Sequence, residues 1–166
     1  MLNVGIHGEQ SQLVTPENTA KAMGSGTLDV FATPALVALA EKTCWMSVAP
    51  ELDEGCGSVG TKLELEHTAP TPVGMTVTCE SELTAVEGRK LVFKVSLHDE
   101  KSPVGGGVHE RFIVNDAKFA AKAESKKNES CPSYNLSVSH TLDSSPSRGA
   151  SGVSSKLHPT AKASPQ

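Results

Sequence analysis

No stretch of the chain approaches the roughly 20 consecutive apolar residues that a membrane-spanning helix requires. The opening MLNVGIHGEQ has neither a basic start nor an apolar segment of the secretory kind. A cytoplasmic protein without a membrane partner is expected. The four cysteines, Cys44, Cys56, Cys79 and Cys131, form no CxxC pair, and their spacing suits neither a zinc site nor a compact disulfide framework. In a reducing compartment the Asn-x-Ser sequons at Asn128 and Asn135 carry no glycan. There is no G-x-S-x-G nucleophile elbow. Gly105-Gly106-Gly107 lies between strand-like segments rather than between a strand and a helix, which makes it a weak phosphate loop. His98 and His109 lack the neighbours of a metal site, and His7, His140 and His158 fall in loops or the tail. Metal and serine-hydrolase chemistry are disfavoured, and no cofactor is expected.

Apolar residues are also scarce, at 37% of the 166, and unevenly spread. From Ser125 to Gln166 there are 12 serines and 4 prolines, with Tyr134 the single aromatic. Such a segment cannot bury enough apolar surface to offset the entropy of ordering it. The expected organisation is therefore a folded domain over 1–124 and a Ser/Pro/Lys-rich disordered tail over 125–166. Charge divides at the same point. Up to Glu124 there are 10 Lys and Arg against 17 Asp and Glu, a net −7, whereas the tail has 5 against 2, a net +3. An acidic body is a poor nucleic-acid binder, since phosphate neutralisation needs clustered basic residues.

What is present is a strong helix followed by strands. Thr33-Pro34 reads as a helix start, with a capping hydroxyl and then a residue whose fixed φ suits the first turn. The helix runs over Ala35–Ala49 and stops at Pro50. Leu36, Val37, Leu39, Cys44, Trp45, Met46 and Val48 surround most of its axis, the pattern of a buried helix. Beyond a Gly- and acid-rich loop the period changes to two. Leu63, Leu65 and His67 share one face and Lys62, Glu64 and Glu66 the other. Alternation resumes through Met75, Val77, Cys79 and Leu83, turns at Glu87-Gly88, and returns through Leu91, Phe93, Val95 and Leu97. A Pro103–Gly107 turn leads to a last strand over Val108–Val114, and Gln10–Val14 is a further candidate strand. One buried helix and several one-sided strands indicate an α+β fold with an antiparallel sheet.

Three residues stand out against this frame. Glu41 sits mid-helix on an apolar face, where an unpaired carboxylate is costly; it either reaches Lys42 or Lys62 at a seam or carries chemistry. His67 ends the inner face of its strand, as a hydrogen-bonded core residue or as an acid–base group. Thr33 is a helix cap whose hydroxyl retains capacity for a ligand, at a helix end that favours negative charge.

Phe31-Ala32-Thr33-Pro34, Glu41, Val59-Gly60-Thr61 and His67-Thr68-Ala69-Pro70-Thr71-Pro72-Val73-Gly74, with Val86–Leu91 and Gly107–Arg111, resemble in order and spacing the fluoroacetyl-CoA thioesterase-like family of hotdog proteins. The resemblance spans about Val14 to Phe119. It implies a hotdog fold, one long central helix wrapped by a curved antiparallel β-sheet, paired as a homodimer with its site between subunits. It further implies an acyl-CoA substrate hydrolysed to a carboxylate and free CoA, with Thr33, Glu41 and His67 catalytic and the Gly60 N–H as oxyanion donor. One departure is plain: the segment before Thr33, Asn18 to Gly26, lacks the family's phenylalanine-bearing lid, so specificity for fluoroacetate is not implied. Two alternatives remain at this level, a hotdog module that binds acyl-CoA without turnover and a hotdog hydratase. The hydratases pair Asp with His in one segment, and no such pair is present here. Arg89, Lys90, Lys94, Arg111, Lys118 and Lys122 are the candidate contacts for the CoA phosphates.

Overall fold

A computed structural model describes residues 2–128. The elements are β1 (His7–Leu13), α1 (Thr33–Val48), β2 (Cys56–His67), β3 (Thr76–Glu87), β4 (Lys90–Asp99), β5 (Pro103–Asn115) and α2 (Asp116–Ser125). The five strands form one antiparallel sheet in the order β1-β3-β4-β5-β2. Helix α1 packs across it, placing Leu36, Leu39, Ala40, Cys44 and Val48 against Val77, Cys79, Leu83, Leu91, Phe93, Val95 and Leu97, all of them buried. The inward alternation on β3 and β4 thus became the core. The expected tail lies outside the described residues beyond Asn128, and α2 covers the boundary region, where no helix was expected.

Two expectations are corrected. Helix α1 is not buried all round: Trp45 is 44% and Met46 37% exposed, and Pro34, Ala38 and Lys42 are exposed as well. A single sheet can cover only one side of a helix, so apolar residues on the other side stay at the surface of the isolated chain. Second, the three glycines are no turn; β5 begins at Pro103 and pairs through them. A β-carbon on Gly105 would collide with the Glu66 carbonyl oxygen, and one on Gly107 with that of Glu64. Glycine is required there because β2 and β5 approach backbone to backbone.

Strand β2 positions the site. At 12 residues it is long, and it lies at the edge of the sheet. Between Gly60 and Lys62 its register with β5 shifts, so Thr61 has no partner there. Such a bulge bends the strand and redirects the residues on either side of it.

Candidate active site

The four expected site residues fall into two pairs. At the N-terminal end of α1 the Thr33 hydroxyl lies 3.0 Å from His67 Nδ1. Thr33 is therefore not the helix cap: the N-cap is Ala32, without a side-chain cap bond, and Thr33 is the first helical residue. Its hydroxyl is committed to the histidine. The other ring nitrogen, His67 Nε2, is buried and has no hydrogen-bond partner among the described residues. Burial holds the imidazole below its ordinary value of 6.5, because removing water disfavours the cation. His67 is consequently neutral at pH 7, with one nitrogen uncommitted.

Two turns along α1, Glu41 lies against Gly60. A β-carbon at Gly60 would stand 2.8 Å from Glu41 Oε1 and 3.0 Å from the His109 ring. Only glycine lets the carboxylate approach the β2 backbone this closely. Beneath this contact is a network that the sequence did not reveal. Arg111 donates from Nε to Ser58 Oγ at 2.9 Å, from Nη2 to the Ser58 carbonyl at 2.6 Å and from Nη1 to His109 Nε2 at 3.0 Å. His109 Nδ1 is 2.9 Å from the Lys62 carbonyl. A carbonyl only accepts, so Nδ1 carries the hydrogen and Nε2 is the acceptor for Arg111. His109 is wholly buried and Arg111 is 4% exposed. Burial is the largest effect on both, holding His109 below its ordinary value and lowering Arg111, while the Glu41 charge pulls each back up. Arg111 still remains a cation, so Glu41 sits in the field of a buried positive charge. The sequence signal for this pair was alternation in β5, where His109 and Arg111 fall two residues apart on one face.

The candidate phosphate contacts are narrowed by the same geometry. Arg111 is removed by burial. Lys90 pairs with Glu110 at 3.2 Å, and Arg89 lies 4.8 Å over the Phe112 ring. Cys44 and Cys79 are not nucleophiles: burial pushes Cys44 up to about 12 and Cys79 to about 11, so both stay protonated at neutral pH. Among the described residues, no helix is long and apolar enough to cross a membrane.

The depressed histidines predict how stability responds to acid. In the unfolded chain both take up protons near 6.5, but in the fold only at lower pH. The unfolded state therefore binds more protons in this window, and stability falls with pH. The contribution is complete above about 6.5 and is lost as pH drops toward the folded values. Thermal melts at pH 7.0 and 5.5, above most carboxylate titration, should show a lower Tm at 5.5; an equal or higher Tm would contradict the assignment.

One long helix packed on a five-stranded antiparallel sheet is the hotdog architecture, and the solved structures that share it at the highest identities here are thioesterases, the class of this chain. The chain belongs to the fluoroacetyl-CoA-specific thioesterase family, whose model matches residues 14–117. A relative from Streptantibioticus cattleyicolor, a fluoroacetyl-CoA thioesterase, is 47% identical over 98 residues, covering 59% of this chain and 70% of that protein. A solved structure of the fluoroacetyl-CoA thioesterase FlK is 39% identical with a TM-score of 0.72, covering 76% of this chain and 98% of the other. A thioesterase superfamily member from Thermus thermophilus is 27% identical with a TM-score of 0.71, covering 77% and 95%. The activity is hydrolysis of an acyl-CoA thioester to a carboxylate and free CoA.

Proposed function

We propose that hydrolysis takes place at a composite site, where Glu41 and Gly60 of one protomer face Thr33 and His67 of a second copy. The separation of the two pairs within one chain carries this reading. Glu41 is eight residues beyond Thr33, about 12 Å along the helix axis. Gly60 precedes His67 by seven residues, roughly 20 Å along a bulged strand. One thioester carbonyl cannot touch both ends. The unpaired β2 edge supplies the means of joining them, because a long free edge is a template for another strand. Antiparallel pairing of two β2 edges about an axis midway between Gly60 and His67, at Leu63–Glu64, brings Gly60 beside the partner's His67. The exposed Trp45, one turn from Glu41, is consistent with a face that a second copy covers.

In this site Glu41 adds to the thioester carbonyl, with the Gly60 N–H holding the oxyanion. The C–S bond breaks, leaving an acyl-glutamyl anhydride and CoA thiolate. His67 Nε2, its lone pair free when Nδ1–H donates to Thr33, then takes a proton from water as the water oxygen attacks the anhydride. Glu41 is released as carboxylate, and the proton passes from imidazolium to thiolate. A neutral His67 at pH 7 suits this base role. Glu41→Gln and His67→Ala should each abolish thiol release, read with a disulfide dye; wild-type turnover in both would end the proposal. Gly60→Ala should lower kcat/KM about 100-fold with the fold retained, because the fixed His109 ring leaves the new methyl only the Glu41 carboxylate to displace. Fluoroacetate specificity is no part of this reading, since the segment before Thr33 has no aromatic before Phe31. We place the enzyme in a reducing, cytoplasmic setting, supported by Cys44, Cys56 and Cys79 being free thiols.

A further inference from the structure

The Thr33–His67 contact requires the start of α1 and the end of β2 to keep one spacing. Beyond His67 the chain leaves β2 as a loop over residues 68–75, in which Pro70 and Pro72 have no N–H to donate. Thr71, between the two prolines, is wholly buried and is tied in two directions. Its carbonyl accepts the Phe31 N–H at 2.8 Å, two residues before Thr33. Its hydroxyl donates to Asp99 Oδ2 at 3.1 Å.

Asp99 closes β4 and is 8% exposed. Its Oδ1 accepts the Lys101 N–H at 2.8 Å and the Ser102 N–H at 2.9 Å, which fixes the turn into β5. A serine or asparagine oxygen would serve that turn as well. The second carboxylate oxygen is spent on Thr71. Burying a charge is costly, so the turn alone does not account for a carboxylate here, whereas a charge-assisted bond to the loop does. The Lys101 N–H foremost holds the carboxyl below its ordinary value of 3.8. Asp99 is therefore an anion at pH 7, and the Thr71 hydroxyl is the donor.

The connections close a circuit. From Asp99 it runs through Thr71 to Phe31, along the chain to Thr33, across to His67, and through the loop back to Thr71. Without the Asp99–Thr71 bond, Thr71 and Phe31 are released together and the Thr33 hydroxyl shifts relative to His67 Nδ1. A hydrogen bond weakens steeply with misalignment, so the histidine loses the contact that keeps its hydrogen on Nδ1. We propose that Asp99, acting through Thr71, is a positioning residue for the hydrolysis: it sets Thr33 against His67 and so keeps the Nε2 lone pair free to take the proton from water. The inference rests on the base role given to His67 above and adds the residues that maintain it.

The test compares, in the full chain, Thr71→Val, which deletes the hydroxyl at nearly constant volume, with Thr71→Ser, which retains it. A second route is Asp99→Ser, whose oxygen still serves the turn but does not reach Thr71. Thiol release is measured at pH 7 on acetyl-, butyryl- and hexanoyl-CoA, and the ester turned over fastest by the wild type is used throughout. Thr71→Val and Asp99→Ser should each lower kcat at least about tenfold, since a misplacement of about 1 Å costs up to about 100-fold. KM should stay within about twofold, and Thr71→Ser should keep kcat within about threefold of wild type. Nitrogen-15 spectra of the histidine rings, with His67 assigned by its absence in His67→Ala, should show hydrogen on Nδ1 in the wild type and Thr71→Ser, and both tautomers in the other two variants; a melt confirms that each is folded. Wild-type kcat in folded Thr71→Val or Asp99→Ser, a loss carried by KM, or a lowered kcat with unmoved His67 signals would overturn the inference and leave the catalytic reading intact. Hydrogen on Nε2 in the wild type, or no thiol release from any ester, would overturn the catalytic reading and the inference with it.

Discussion

Mixing Glu41→Gln chains with His67→Ala chains, each inactive alone, should restore about a quarter of wild-type thiol release. Each single variant is expected to lose about 1,000-fold, within the range for removing a positioned acid–base or nucleophilic group. In a mixed dimer one site receives Glu41 from one chain and His67 from the other, and is whole; the second site lacks both. Random exchange makes half the dimers mixed, and each of these has one working site of two. If Glu41 and His67 of the same chain worked together, every site in every dimer would lack one group and no activity would return. The experiment thus distinguishes a composite site from a self-contained one, and complementation does not depend on which step either group performs. Mixing after brief denaturation, followed by a dye-based rate, is sufficient.

Arg111→Met should cost about 3 kcal/mol of stability, as expected when one member of a buried charged network is removed. For a domain of this size that corresponds to a fall in Tm of roughly 10 °C. The guanidinium ties Ser58 on β2 to His109 on β5 by three bonds. These flank the bulge at Thr61 and so hold Gly60 against Glu41. Without them the buried His109 Nε2 loses its Arg111 donor, which is the expensive part of the change, and the half-buried Ser58 carbonyl loses its own. Arg111→Lys should not rescue, since one ammonium cannot reproduce three donors set in a rigid fork. The loss should appear in both melting and kcat, because the same bonds hold Gly60, the proposed oxyanion donor. An unchanged Tm for Arg111→Met would show that β2 is held by its ladder alone.

Much of the fold could be read from the chain because it depends on local periods. The helix from Thr33, the alternation through Val77 to Leu97 and the Gly88 turn are each set by residues within a few positions of one another. The resemblance to a thioesterase family, carried by Thr33, Glu41, Gly60 and His67 in their order, was likewise present in the sequence. Elements that depend on distant approach were not. The Gly105–Gly107 run looked like a turn because its reason for being glycine is the backbone of β2, about 40 residues earlier in the chain. The α1 helix looked wholly buried because hydropathy records that Trp45 is apolar, not which side the sheet covers.

By itself, then, the sequence determined the helix, the strands, the family and the four residues worth testing. Tertiary structure decided their pairing. It moved the Thr33 hydroxyl from a helix cap to His67, 34 residues away, set Glu41 on Gly60, and placed Arg111 beneath them through contacts 53 residues apart in the chain. No local pattern encodes such contacts, because they follow from how the sheet packs on α1 and from the bulge at Thr61. The same packing set the Thr33–His67 and Glu41–Gly60 pairs apart along α1 and β2, the separation on which the proposed composite site rests.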